Sequence, residues 1–190
     1  MIEEPANRNQ LSEEPGRTLQ EVEGETFFDG VSLEKIANEV GTPTYIYSAK
    51  SFNKQFRELE KAFKRVDSKI FYSVKANSNV NIISLFNQLD SGFDIVSGGE
   101  LHRVIAAGAA PQAIIFSGVG KSVSEIDLAL KVGIDCFNIE SAPELDRIIE
   151  RSRVLGKKPD ISVRINPDID ALTHPYLSLI HISEPTRPLR

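Results

Sequence analysis

An α/β fold of parallel strands joined by helical crossovers is what this 190-residue sequence predicts, on three observations. Short apolar runs alternate with amphipathic stretches from residue 44 onward. With Phe71, Asp94, Ile115, Asn138 and Val163 as strand midpoints, the runs recur at intervals of 23, 21, 23 and 25 residues. No tight hairpin signal interrupts that repeat. A period of this length is what one strand and its returning helix occupy, and such a crossover makes the strands parallel.

Taken in order, the elements begin with an acidic leader. Residues 1–26 hold seven glutamates against two arginines and almost no apolar side chain, so the chain's formal net charge of −5 sits there. Such a stretch cannot bury enough surface to offset its ordering entropy, and it is expected to be mobile. Residues 44–48 (TYIYS) read as a strand. Residues 51–65 read as a helix, with Phe52, Phe56, Leu59 and Phe63 at helical spacing. Five strands follow, at 69–74, 92–97, 113–118, 136–140 and 161–166, each rich in β-branched or aromatic residues and bounded by turn residues. The intervening helices carry end signals. Ser122 with Glu125, and Ser141 with Glu144 after Pro143 in the first turn, have capping-box spacing. Gly108, Gly133 and Gly156 stand where helices would terminate.

Composition excludes several classes. With 41% hydrophobic residues, one Cys and no apolar run of about 20 residues, the chain is neither disulfide-stapled nor an integral membrane protein. The N-terminus has no basic stretch or apolar core of a secretory signal, and a lone Cys136 suits a reducing compartment, so a cytoplasmic location is expected. Outside the leader the charges nearly cancel without a Lys/Arg cluster, which argues against nucleic-acid binding. Three scattered His and one Cys have no metal-ligand spacing.

Two architectures share the βα period, a doubly wound sheet and a (β/α)8 barrel. No G-x-G-x-x-G follows the first strand, which weakens a dinucleotide-binding sheet. Polar residues end nearly every strand: Lys75 and Asn77, Ser97, Ser117, Asn138 and Glu140, Arg164 and Asn166. Barrel enzymes gather their chemistry at such ends, so the pattern leans toward the barrel. Lys75, at the end of an apolar strand and before the turn Ala-Asn-Ser-Asn, stands out. A lysine projecting into a low-dielectric mouth is poised to condense with an aldehyde.

The segment Tyr72-x-x-Lys75-Ala76-Asn77 resembles the pyridoxal-phosphate attachment motif of the barrel-type amino-acid decarboxylases and alanine racemases. FDIVSGGEL (93–101), GVGKS (118–122), FNIES (137–141), VRINP (163–167) and THPY (173–176) then follow in the order and spacing of the diaminopimelate decarboxylase family. Upstream, residues 27–48 are similar to that family's opening segment. The resemblance runs from about residue 27 to 176. It implies a partial (β/α)8 TIM-type barrel of the alanine racemase/decarboxylase type, truncated after about the fifth barrel strand. It also implies a PLP-dependent carboxy-lyase that converts meso-diaminopimelate to L-lysine and works as a homodimer on a small amino-acid substrate.

Carried over residue by residue, the resemblance makes Lys75 the residue that holds pyridoxal 5'-phosphate as a Schiff base. Asp94 becomes a cofactor-site acid near it, and Arg164 a fixed charge beneath the cofactor ring. His174 falls near the mouth of the site. The turn Ser97-Gly98-Gly99 could direct backbone amides toward it, while His102 reads as a packed helix residue and Cys136 as core. A glycine-rich phosphate turn, an acidic partner for the pyridine nitrogen and a C-terminal β domain have no match here. Residues 177–190 (LSLIHISEPTRPLR) lack the βα pattern and resemble translated sequencing-adapter DNA, so a foreign tail from a broken reading frame is expected, and with it an inactive fragment. Within the same chemistry, an arginine, ornithine or carboxynorspermidine decarboxylase is the alternative. From another class, a non-catalytic barrel relative acting as a binding protein would have no need of Lys75.

Overall fold

A computed structural model describes residues 19–165, which fall into two compact units divided after Val66. The first opens with a three-stranded antiparallel sheet, β1 (Leu19–Val22), β2 (Glu25–Phe28) and β3 (Val31–Ser32). Its two turns are Glu23-Gly24 and Asp29-Gly30, with all four residues at positive φ. That is the primed geometry whose twist matches paired strands, and it closes the pairs Val22↔Glu25 and Phe28↔Val31. Residues 19–26 of the leader, expected to be mobile, are instead paired in this hairpin, and residues 1–18 lie outside the described residues.

Helix α1 (Leu33–Val40) is capped by Ser32, whose hydroxyl accepts from the Lys35 amide at 3.2 Å. Helix α2 (Ala49–Phe63) is capped by Ser48, which accepts from the Ser51 amide at 2.9 Å while its own hydroxyl donates to Asp29. Residues 44–48 form no strand, contrary to expectation. Among the described residues no neighbour offers them a ladder, Tyr45 is 89% exposed, and Ser48 is committed to the helix cap. An apolar, β-prone run without a pairing partner gains no sheet.

The second unit carries the predicted repeat. Five parallel strands, β4 (Phe71–Ser73), β5 (Gly92–Ile95), β6 (Ile114–Phe116), β7 (Cys136–Ile139) and β8 (Asp160–Val163), pair strictly in chain order. Between them run α3 (Val80–Gln88), α4 (Gly98–Ala106), α5 (Val123–Val132) and α6 (Ala142–Leu155). A doubly wound sheet reverses its strand order at a switch point. The described strands never reverse, so the order is that of a barrel wall.

The core lies between sheet and helices. Phe93, Phe116, Phe137, Ile83, Ile95, Leu101, Ile114, Ile126 and Ile148 are fully buried, and each such side chain is worth about 1.5–3 kcal/mol of apolar transfer. The Phe116 and Phe137 rings stack with centroids 6.1 Å apart across β6 and β7. Strand β8 is different. All four of its residues are exposed, and its outer edge has no partner among the described residues.

The helix ends follow the sequence in all but one case. Ser122 and Glu125 form a reciprocal capping box, and Gly133 and Gly156 are left-handed caps. Ser141 starts α6 but makes no side-chain cap bond, and the Glu144 carboxylate, engaged by Lys121 and the Glu140 amide, does not return to the Ser141 amide.

Candidate functional site

A pocket of about 360 Å³ lies at the C-terminal ends of the parallel strands, lined by Lys75, Asp94, Ser117, Gly118, Asn138, Glu140, Ser162, Arg164 and Val96. Four of the five strand ends picked out by their polar residues thus converge on one space, through Lys75, Ser117, Asn138 with Glu140, and Arg164; Ser97 does not line it, and β5 contributes Asp94 and Val96 instead. Lys75 sits on a single 3-10 turn, Val74–Ala76, directly after β4. Val74 is fully buried and pins that turn from below, while the Tyr72 hydroxyl donates to the Asn77 carbonyl at 3.0 Å and closes it from the side. The Tyr72 ring is stacked on Phe86 of α3, centroids 4.0 Å apart. Lys75 itself is exposed and has no hydrogen bond or ion pair among the described residues. The low-dielectric wall expected behind it is not supplied by residues 19–165.

Asp94 ends a three-residue relay that crosses three strands. Asn138 Nδ2 donates to Ser117 Oγ at 2.7 Å, and the Ser117 hydroxyl donates to Asp94 Oδ1. Because Ser117 accepts from an amide N–H, its own proton is left for Asp94, and the carboxyl is held as the final acceptor. A second cluster lies beside it. Glu140, its side chain 4% exposed, accepts from Arg164 Nη1 at 3.1 and 3.3 Å and from the Gly118 amide at 3.2 Å. Arg164 follows β8 and is tied to β7 by its own amide, which donates to the Ile139 carbonyl at 3.0 Å. Its guanidinium is therefore fixed at the rim.

The Ser97-Gly98-Gly99 turn does not lend its first amide to the pocket. Gly98 N–H donates to Glu125 Oε1 at 2.8 Å, and Ser97 caps α4 by accepting from Glu100 N. The Ser122 hydroxyl, the Gly98 amide and the Ser122 amide, in that order of effect, hold the Glu125 carboxyl below its ordinary value of 4.5 against the opposing effect of burial. His102 is exposed on α4 rather than packed. Cys136 is half-buried at the start of β7, and burial pushes its thiol above the ordinary 9.0, with Asp135 and Asp160 adding to the shift. His174 and Asn166 lie outside the described residues. Ser117, Asn138 and Glu140 were visible in the sequence as polar strand ends, but their mutual bonds were not, since each links residues 21 to 24 apart.

Parallel strands in unbroken chain order, with an amine, two carboxylates and a guanidinium around one pocket at their C-terminal ends, define the class: a β/α barrel protein with its chemistry on the strand-end face. The family described as "Pyridoxal-dependent decarboxylase, pyridoxal binding domain" matches residues 49–182. The chain is 50% identical over 152 residues to diaminopimelate decarboxylase of Neisseria meningitidis serogroup A, covering 80% of this chain and 37% of that protein. It is 46% identical over 156 residues to the Pseudomonas aeruginosa diaminopimelate decarboxylase, covering 82% and 38%. Among solved structures, diaminopimelate decarboxylase from Helicobacter pylori complexed with L-lysine superposes with a TM-score of 0.73 at 48% identity, covering 75% of this chain and 36% of that one. The M. jannaschii enzyme in complex with L-lysine gives 0.78 at 34% identity, covering 85% and 39%. The chain belongs to the pyridoxal-dependent decarboxylase family, through its pyridoxal-binding domain. It spans little more than a third of the length of the relatives it matches.

The residues present fit a pyridoxal cofactor. An amine without a partner among the described residues lines a pocket of ligand size, which is what an aldehyde requires. Fixed carboxylates and a fixed guanidinium stand around it, so a polar heteroaromatic ring meets groups that need no reorganisation.

Proposed function

We propose that the complete protein to which this chain belongs removes a carboxylate from meso-diaminopimelate to give L-lysine. It would act as a cytoplasmic homodimer, with pyridoxal 5'-phosphate held by Lys75. The observation that carries this reading is the meeting of Lys75, Asp94 and Arg164 around one pocket. When bound, the cofactor supplies the electron sink that makes loss of carbon dioxide feasible. The chain's own residues provide the setting. Lys75 offers the amine, on a turn whose geometry Val74 and Tyr72 hold. Asp94, fixed by Ser117 and Asn138, presents a negative charge on the same wall, suited to orienting an ammonium. Arg164, fixed by Glu140, presents a positive charge from the opposite end of the strand series. The 190 residues alone are proposed to be inactive in decarboxylation, because the described wall has five strands where a closed barrel has eight.

Borohydride reduction of the chain with pyridoxal 5'-phosphate, followed by peptide mass mapping, tests the lysine. A pyridoxyl adduct on the peptide containing Lys75, absent in Lys75→Ala, is expected. An adduct spread evenly over surface lysines, and undiminished by Lys75→Ala, would overturn the assignment. For the complete protein, carbon dioxide release from meso-diaminopimelate is expected. Release from ornithine or arginine instead would move the substrate reading to the alternative decarboxylases.

A further inference from the structure

The most deeply buried charges in the described chain lie outside the pocket. Lys121 and Glu144 have side chains 1% and 2% exposed and pair at 3.0 Å. Lys121 Nζ also donates to the carbonyls of Gly118 at 2.9 Å and Asn138 at 2.8 Å, so all three of its protons are used. Its ammonium lies 5.5 Å from the centroid of the Phe116 ring. The second oxygen of Glu144 accepts from the Glu140 amide at 2.8 Å.

The pair therefore grips backbone atoms of Gly118, Asn138 and Glu140, three residues that line the pocket. Asn138 starts the relay that ends on Asp94. Glu140 anchors Arg164. The Gly118 amide is bonded to Glu140 in turn. As a source of stability a buried ion pair is poor, since desolvation consumes most of its attraction and apolar replacement is often neutral or better. What it supplies is geometry. From Lys121 and Glu144, we infer that this pair is a positioning device, which sets the backbone of the β6 and β7 turns so that Asp94 and Arg164 face the cofactor. The inference rests on the reading of the pocket as a pyridoxal site.

The test uses the complete protein with two substitutions made together, Lys121→Met and Glu144→Leu, which remove both charges and keep the volume. Arg151→Met serves as control. It breaks the bidentate Arg151–Asp127 bridge between α5 and α6, at 2.6 and 2.8 Å, whose residues do not line the pocket. In the double variant, amide hydrogen exchange at Gly118 and Glu140 should accelerate at least tenfold, with core amides of β5 unchanged. The pyridoxal 5'-phosphate concentration for half-maximal labelling of Lys75 should rise at least tenfold. The control should leave both readings within twofold.

Unchanged exchange at Gly118 and Glu140 would overturn the inference, and so would faster exchange there with the half-maximal labelling concentration of Lys75 unchanged. So would acceleration spread equally over the whole parallel sheet, which marks a merely structural pair. If the double variant does not fold, Glu144→Gln decides. Its amide can still accept from Lys121 but sets a donor against the Glu140 N–H, so Glu140 exchange should rise at least fivefold and the half-maximal labelling concentration of Lys75 should rise with it, and either one unchanged overturns the inference. Should wild-type chain fail to label at Lys75, the cofactor reading fails, and the exchange data alone judge the positioning role.

Discussion

Glu125 carries a prediction that joins helix α5 to the turn after β5. Its carboxylate accepts from Ser122 Oγ at 2.6 Å, from Gly98 N at 2.8 Å and from Ser122 N at 3.0 Å. In Glu125→Gln one arm becomes an NH2 group. Whichever way the amide turns, a donor then faces a donor, and at least one bond to a formerly ionised acceptor is lost. Such a bond is worth about 1.5–3 kcal/mol. Taking ~1.5 kcal/mol, because the site is partly open to water, a unit of about 100 residues should melt ~6–12 °C lower. The dependence on pH has a definite sign. The folded carboxyl is held below its ordinary 4.5, so the folded state binds fewer protons there. The stabilisation is complete above that value and fades as pH falls through the folded one. Thermal melts followed by circular dichroism should therefore show a gap between wild type and Glu125→Gln that is full at pH 7 and closes in acid. A gap below about 2 °C at pH 7, or one that persists unchanged at acid pH, would refute the reasoning.

Three further outcomes follow from single features of the second unit. Gly92→Ala puts a Cβ 2.5 Å from two atoms of the Phe71 ring across the β4–β5 pair. Overpacking of that kind costs about 1–3 kcal/mol, so the melting midpoint should fall by at least ~4 °C, and an unchanged midpoint would show that the ring rotates away freely. Cys136 should react with iodoacetamide to half its limiting rate only above pH 9.0, because burial raises its thiol; a half-rate at or below that pH would contradict the burial. Val163→Lys places a charge on β8, where Val163 is 64% exposed beside an edge without a partner among the described residues. Light scattering at fixed concentration should fall, since a charged edge resists strand addition; equal or greater scattering would locate self-association elsewhere.

The parallel sheet was legible because its cause is periodic. A strand and its return helix occupy a nearly fixed length, so five apolar runs 21 to 25 residues apart admit few topologies. The choice between doubly wound sheet and barrel was not fixed by that period and needed the strand order itself. The first unit was read less well. The Asp29-Gly30 dipeptide between Phe28 and Val31 is a hairpin signal that went unread, and its companion Glu23-Gly24 lies within the acidic stretch. Residues 44–48 had the composition of a strand, but pairing depends on a partner that composition cannot supply. At the site, Lys75, Asp94 and Arg164 could be named from motifs, and the pocket brings all three together. The relay through Ser117 and Asn138 could not, because a serine at a strand end looks the same whether it meets water or a carboxylate.

The two Ser-x-x-Glu patterns show most clearly where local reading stops. Ser122 and Glu125 form the box their spacing predicts. Ser141 and Glu144 have the same spacing and do not, although Ser141 does start its helix. Locally the two differ only in the first turn, where α6 carries Pro143, a residue favoured at such a position. The difference is Lys121, 23 residues upstream, which is drawn into the interior by the Gly118 and Asn138 carbonyls. A helix cap contributes about 1 kcal/mol, whereas a buried charge left without its partner costs about 3–5 kcal/mol. Glu144 therefore abandons the cap for the ammonium. Its remaining oxygen takes up the Glu140 amide at the end of β7 rather than the Ser141 amide at the start of α6. A glutamate placed to cap the start of a helix thus bonds instead to Glu140 in the wall of the pocket, and the larger of the two energies decides it.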